Sequence, residues 1–222
     1  MNERTIGLIG QANLNKIQQK SILIVGVGGV GGTALEALIR SGIKKITIID
    51  NDSFEKSNLN RQILATTKTL SSEKTKIAQD RIKKINPEVE VISHQIFLTK
   101  ENMNILDNYD YIIDACDTIN TKISLIEYAK KKGIKIISCM GTGKRLDPSK
   151  VKISTLKKTY NDPLAKIMRK KIKDLGIDTN IPVIFSEELP INNEKTISSM
   201  VFVPWTAGLY LANFIINDII KE

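Results

Sequence analysis

The chain's 222 residues, 41 % hydrophobic and 5 % aromatic, suffice for one α/β domain with a full core and contain no low-complexity stretch or internal repeat. Lys and Arg outnumber Asp and Glu by 33 to 24, a net charge of +9 that suits polyanionic partners, while two cysteines, Cys116 and Cys139, and one histidine, His94, exclude a disulfide framework and argue against a zinc site. The polar opening Met1-Asn2-Glu3-Arg4 is no signal peptide, and the apolar run from Val201 to Ile220 is interrupted by Pro204, Asn213, Asn217 and Asp218, so it reads as a docking helix rather than a membrane span, in a cytoplasmic protein.

In chain order, a helix is expected near 12–19, followed by an apolar strand at 21–26 that runs into a tight turn carrying Gly26, Gly28, Gly29 and Gly31. The turn opens a helix at 31–41, whose N-terminus supplies partial positive charge beside backbone N–H groups able to approach a phosphate. A second strand at 45–50 ends in Asp50, 19 residues after Gly31, where a ribose-binding carboxylate belongs in a βαβ nucleotide unit. A polar loop follows, and then a helix at 72–85 that Ser71 or Ser72 can cap and that buries Ala78, Ile82 and Ile85. Strands at 88–93, 110–115 and 134–139 alternate with helices at 100–106 and 119–132. The fold class is therefore a Rossmann-like, doubly wound and mainly parallel α/β sheet. After Gly141 the pattern changes to a strand at 151–156, a basic helix at 162–174, a strand at 181–185, a polar loop at 187–198 and a terminal helix at 205–220. This gives one domain over 1–222, with a nucleotide-binding half at 21–140 and an elaborated, substrate-facing half at 141–222.

Gly26, Gly28 and Gly31 by themselves also satisfy the dinucleotide fingerprint, so a nicotinamide oxidoreductase or a plain nucleotide-binding module is one reading. The loop after Asp50 favours a triphosphate instead. It brings Asp52, Asn58, Asn60 and Arg61 beside the phosphate turn, and arginine's planar fork makes two charge-assisted hydrogen bonds to phosphate without losing its proton. Lys74 lies on the next helix and Asp117 just past a strand end. Either alone reads as a surface charge, but in the order glycine turn, Asp50, Arg61, Lys74, Asp117 they describe a site for ATP.

Charge is concentrated rather than spread. Residues 141–175 hold 11 Lys and Arg against 3 Asp, a net +8, with +5 before and −4 after. Such a segment suits a nucleic-acid backbone or forms one solvated helix face. Both cysteines follow apolar strand-like runs and read as small buried side chains, and His94, with no Ser or Asp partner in view, reads as structural.

The runs Gly26-Val27-Gly28-Gly29-Val30-Gly31, Asp50-Asn51-Asp52, Asn58-Leu59-Asn60-Arg61-Gln62, Lys74, Ile85-Asn86-Pro87 and Asp114-Ala115-Cys116-Asp117 resemble the adenylating superfamily of ubiquitin-activating enzymes and the bacterial sulfur-carrier adenylyltransferases. The resemblance implies ATP with Mg2+, Asp50 on the ribose, Arg61 and Lys74 on the phosphates, Asp117 on the metal, and Arg4 as an arginine supplied in trans by a homodimer partner. Further runs, Met140 to Pro148, Lys158 to Leu164 and Phe185 to Glu188, are similar to the branch that dehydrates threonylcarbamoyladenosine in tRNA. That likeness implies adenylation of the threonyl carboxylate and ring closure with loss of water. The alternative within the superfamily is activation of the C-terminus of a ubiquitin-like sulfur carrier. A monovalent cation and sulfur-transfer accessory proteins are further partners that the likeness admits.

Overall fold

The computed structural model describes residues 2–192, 194 and 196–222. Seven strands form one sheet in the order β3-β2-β1-β4-β5-β7-β6: β1 Ser21–Val25, β2 Lys45–Ile49, β3 Glu90–His94, β4 Tyr111–Asp114, β5 Lys135–Cys139, β6 Val151–Thr155 and β7 Pro182–Ser186. All pairings are parallel except that of the edge strand β6 with β7. The strand order reverses between β1 and β4, and the carboxyl ends of those two strands are where α/β sheets place their ligands.

Central strands are mostly apolar because helices cover both faces. Successive side chains point to opposite sides. Thus Ile22, Ile24, Ile46, Ile48, Tyr111 and Ile113 join one core with helices α1 (Glu3–Gln19), α2 (Gly31–Arg40), α3 (Lys74–Ile85) and α6 (Phe202–Lys221). Leu23, Val25, Ile49 and Ile112 join the other core with α4 (Ile119–Lys132) and α5 (Pro163–Asp174). The terminal apolar run is the docking helix expected: α6 lies on α2, with Pro204 confined to its first turn, where the missing N–H costs nothing. Among the described residues no helix is long and apolar enough to cross a membrane.

Three local expectations need correction. The first helix begins at Glu3 rather than near residue 12, with a break at Gly10 (φ 79°, ψ 159°); Gly7 and Gly10 hide its helical character in the sequence. Neither Ser71 nor Ser72 caps α3, whose N-cap is Glu73. Ser71 sits at φ 64°, and the backbone of both serines is committed to Phe54, through the Ser71 N–H and the Ser72 carbonyl. The segment at 100–106 is a 3-10 turn over Lys100–Ile105, closed by a reciprocal Thr99–Asn102 capping box. The other elements lie within a few residues of the positions expected.

Candidate nucleotide site

The glycine turn follows β1 directly. Gly26 has φ 88°, and a Cβ on it would meet the Ala115 carbonyl oxygen at 2.8 Å; a Cβ on Gly31 would lie 1.8 Å from the Gly26 carbonyl oxygen. Both positions therefore require glycine, and the turn stays close enough to the strands to leave space above it. That space is a cavity of about 300 Å³ lined by Gly26, Gly28, Gly29, Asp50, Asp52, Asn58, Arg61, Gln62, Lys74 and Asp117 among others.

At the end of β2, Asp50 is fixed by two backbone donors: Val27 N–H to Oδ2 at 2.7 Å and Asp52 N–H to Oδ1 at 2.9 Å. One carboxylate thereby ties the glycine turn to the loop after β2. Burial, partly offset by the Lys74 charge, raises the Asp50 pKa above the ordinary aspartate value. The Lys74 ammonium, in a side chain only 7 % exposed, contacts Asp52 Oδ2 at 2.8 Å, and the Lys74 N–H bonds the Asp52 carbonyl. Arg61 donates from Nη1 to the Ser57 carbonyl (2.9 Å) and to Asn60 Oδ1 (3.0 Å), while its own carbonyl accepts Trp205 Nε1–H of α6 at 2.7 Å. The buried Asn58 caps its own turn through the Glu55 N–H. Asp117 is exposed and accepts from the Thr118 hydroxyl at 3.4 Å.

Three residues named from sequence do not line the cavity. Asn60 is turned away, donating to the Ser199 carbonyl at 2.8 Å; Gly31 shapes the turn beneath the cavity; and Arg4 lies exposed on α1. The structure also adds groups that sequence reasoning did not weigh. Asp114 and Lys122 form an ion pair with both side chains 0 % exposed and Nζ 3.1 Å from each carboxylate oxygen; Ser138 Oγ–H and the Cys139 carbonyl complete the arrangement at 2.7 Å each. Cys116, on the cavity wall above this pair, donates its S–H to Asp114 Oδ1 at 3.1 Å. Burial first, and then the Asp114 carboxylate, push the Cys116 thiol far above the ordinary cysteine range, and burial raises Cys139 to about 12. Both are held as neutral thiols, poor nucleophiles. Cys139 is buried as expected, whereas Cys116 is partly exposed at the cavity. The alternation of apolar and polar residues in Asp114 to Lys122 gave no signal of the ion pair, because strand and helix meet only after folding.

The second half is fastened by another buried cation. Arg145 donates to the carbonyls of Glu188, Gly143 and Asn161 at 3.0, 3.0 and 3.1 Å. Asp162 accepts from Gly141 N–H and caps α5 through Ala165 N–H. Glu188 receives the N–H groups of Leu146 and Asp147. Three loops that are distant in sequence thus converge at the carboxyl edge of β5 and β7.

A family model described as the ThiF family matches residues 2–203. The tRNA threonylcarbamoyladenosine dehydratase of Bacillus subtilis (strain 168) is 38 % identical over 96 % of this chain and 92 % of its own length; that of Haemophilus influenzae is 38 % identical over 93 % and 80 %. The solved structure of Escherichia coli tRNA N6-threonylcarbamoyladenosine dehydratase in complex with ATP superposes with a TM-score of 0.93 at 32 % identity, covering 98 % of this chain and 93 % of that one. The chain belongs to the ThiF family and, within it, to the tRNA threonylcarbamoyladenosine dehydratases.

Proposed function

We propose that this chain is an ATP-dependent dehydratase that adenylates the threonyl carboxylate of threonylcarbamoyladenosine in tRNA and closes it to the cyclic form. The observation that carries the reading is the cavity above the glycine turn, which joins a ribose-side carboxylate, Asp50, to the cations Arg61 and Lys74. The dehydratase relatives named above support the tRNA substrate, and the Escherichia coli relative holds ATP.

A carboxylate resists attack because its leaving group would be oxide. Its oxygen attacks the α-phosphorus of ATP, the bond to the bridging oxygen breaks, and pyrophosphate leaves with its electron pair. Arg61 and Lys74 stabilise the charge that builds on the phosphates. Arg61 must exchange its contacts with Ser57 and Asn60 for phosphate oxygens, which its planar fork does without changing charge. In the second step a neighbouring atom of the same modified base attacks the acyl carbon and expels AMP. The balance is ATP consumed, AMP and pyrophosphate released, and the elements of one water removed from the nucleoside. Proximity drives this closure, so no protein nucleophile is required. The neutral thiols of Cys116 and Cys139 agree with a reaction that forms no thioester.

Mg2+ fits the site. The ion takes most of its ligands from phosphate and water and needs only one or two carboxylates, and the exposed Asp117 faces the cavity with only a weak hydroxyl partner. When bound, the ion would neutralise charge on the departing pyrophosphate. Arg4 does not line its own chain's cavity, and following the resemblance we assign it to the cavity of a second copy, in a homodimer. A monovalent cation, sulfur-transfer accessory proteins and a cytoplasmic setting belong to the same proposal, as does the division into a nucleotide half at 21–140 and a substrate-facing half at 141–222. The test is incubation with ATP, Mg2+ and tRNA carrying threonylcarbamoyladenosine, followed by mass spectrometry of the nucleosides. Loss of one water from that nucleoside is expected. Pyrophosphate exchange that appears only with a ubiquitin-like carrier, and no change in the nucleoside, would replace this reading with the carrier-activating one.

A further inference from the structure

The basic segment resolves into struts and a face. Of its 11 cations, Arg145 is buried against three carbonyls, Arg169 donates to the Thr159 carbonyl and hydroxyl, and Lys144 donates to the Glu194 carbonyl. The other eight are exposed lysines. Lys152 is on the edge strand β6, Lys157 and Lys158 on the 3-10 turn that packs against α5, and Lys166, Lys170 and Lys173 recur at i, i+4 and i+7 on one side of α5. Elsewhere among the described residues several surface cations are paired, as in Arg40 and Arg81 with Glu36, Lys44 with Glu88, and Lys135 with Asp218 and Glu222, while others, such as Lys130, Lys131 and Lys132 at the end of α4, are not. Among the described residues none of these eight lysines makes an ion pair, and Asp174, the only acid on α5, pairs with none of them. Unneutralised like charge on one face is the arrangement from which a polyanion gains most, since each neutralised phosphate releases condensed counterions. Lys171 points to a different side of α5, into a groove of about 750 Å³ that it shares with Glu101, Glu127, Asp174, Thr118 and Thr121, so the lysine face itself lies apart from the nucleotide cavity.

We infer that the lysine face of β6, its following turn and α5 holds the sugar–phosphate backbone of the tRNA at a distance from the modified nucleotide. This rests on the tRNA reading above, but its test does not require turnover. Binding of a fluorescent tRNA transcript is read by anisotropy for two variants with equal loss of charge, Lys166→Gln/Lys170→Gln/Lys173→Gln on α5 and Lys130→Gln/Lys131→Gln/Lys132→Gln at the end of α4. The α5 variant should weaken binding about tenfold or more and reduce the slope of log K against log salt by about 2 to 3, from roughly 0.9 per phosphate contact. The α4 variant should stay within about twofold of the parent, and melting temperatures and ATP-induced thermal shifts should be preserved in both. Equal weakening in both variants, or none in the α5 variant, overturns the assignment. Binding that responds as expected in a protein that never dehydrates the nucleoside would strike at the reaction and leave the surface standing.

A separate observation concerns the nucleotide cavity. Gln62 is 7 % exposed, lines the cavity, and has its Oε1 buried without a hydrogen-bond partner; among the described residues its Nε2 also makes no hydrogen bond. A Cβ on Gly28 would lie 3.7 Å from that Nε2, so the amide rests against the phosphate turn. The orphaned Oε1 is an acceptor and cannot meet a phosphate, whereas the Nε2 donors, free of any hydrogen bond among the described residues, can. The geometry points to Gln62 as a donor from Nε2 to a non-bridging oxygen of the α-phosphoryl group, given the ATP reading. Removing one such donor lowers kcat by about 10²-fold. For Gln62→Leu, kcat should fall by that amount with the KM for ATP changed less than about threefold and the melting temperature of the nucleotide-free protein unchanged or raised, since an orphan polar group is gone. For Gln62→Glu, the thermal shift induced by ATP should be lost through repulsion of the phosphates. Unchanged kcat in Gln62→Leu, a melting temperature that falls in proportion to the loss, or a full ATP shift in Gln62→Glu would each refute the role.

Discussion

The two halves of this sheet are built by different means. From β1 to β5 the backbone makes the site: a glycine turn, strand ends, and one carboxylate, Asp50, bonded to amides in the turn and in the next loop. Beyond Gly141 the loops are fastened by side chains reaching far along the chain, with Arg145 bonded to carbonyls 2, 16 and 43 residues away. A backbone-made site keeps its shape on loss of a single ligand-binding side chain, whereas a half fastened by a few buried side chains, Arg145, Asp162 and Glu188, is weakened by loss of any one of them.

Four experiments probe that contrast. The largest effect is expected from Arg61→Ala, which should lower dehydration about 10³-fold by removing a bidentate phosphate donor while leaving the circular dichroism spectrum and melting temperature near those of the parent. A melting temperature that falls as far as the activity would show Arg61 to be a strut like Arg145. Arg145→Ala comes next. It leaves three carbonyls without their donor and should cost about 3 kcal/mol by urea denaturation, while AMP still binds the first half. If AMP affinity fell in parallel, the halves would be one cooperative unit.

Asp50 offers an intermediate test. Its ionised carboxylate is the form that accepts from ribose hydroxyls, and burial raises its pKa, so ATP affinity should fall on acidification at a pH above the ordinary aspartate range. The raised folded-state pKa means that folding stability contributed by Asp50 declines, rather than grows, as pH climbs from the unfolded to the folded value. Asp50→Asn should bind ATP about tenfold more weakly and lose this acid limb, as calorimetric titration across pH would show. The smallest effect is assigned to Cys116→Ser. With the thiol held neutral, dehydration should change less than about twofold, and labelling by iodoacetamide should remain slow at pH 8.

The same contrast explains what could be read in the sequence. The glycine turn, Asp50 and the positions of the central strands were legible because local backbone geometry dictates residue type within a short window. Asn60 looked equivalent to Asn58, yet it bonds Ser199, 139 residues away, and nothing near Asn60 announces that partner. Ser71 and Ser72 looked like helix caps because capping preferences know nothing of Phe54, which takes their backbone groups. The Asp114–Lys122 pair stayed hidden because a charged residue in an apolar strand reads as a strand end until the opposite charge is placed against it. Charge excess in the basic segment was visible, but not which cations are struts and which are free.

The last helix completes what the first strand begins. Trp205 of α6 bonds the Arg61 carbonyl, 144 residues earlier in the chain, and Gly208 packs so tightly on the turn that a Cβ there would lie 2.4 Å from the Val30 carbonyl oxygen. The glycine turn and its arginine, early in the sequence, are therefore braced by residues 202–221. A chain lacking that helix should bind ATP more weakly, because Arg61 and the glycine turn would lose their brace.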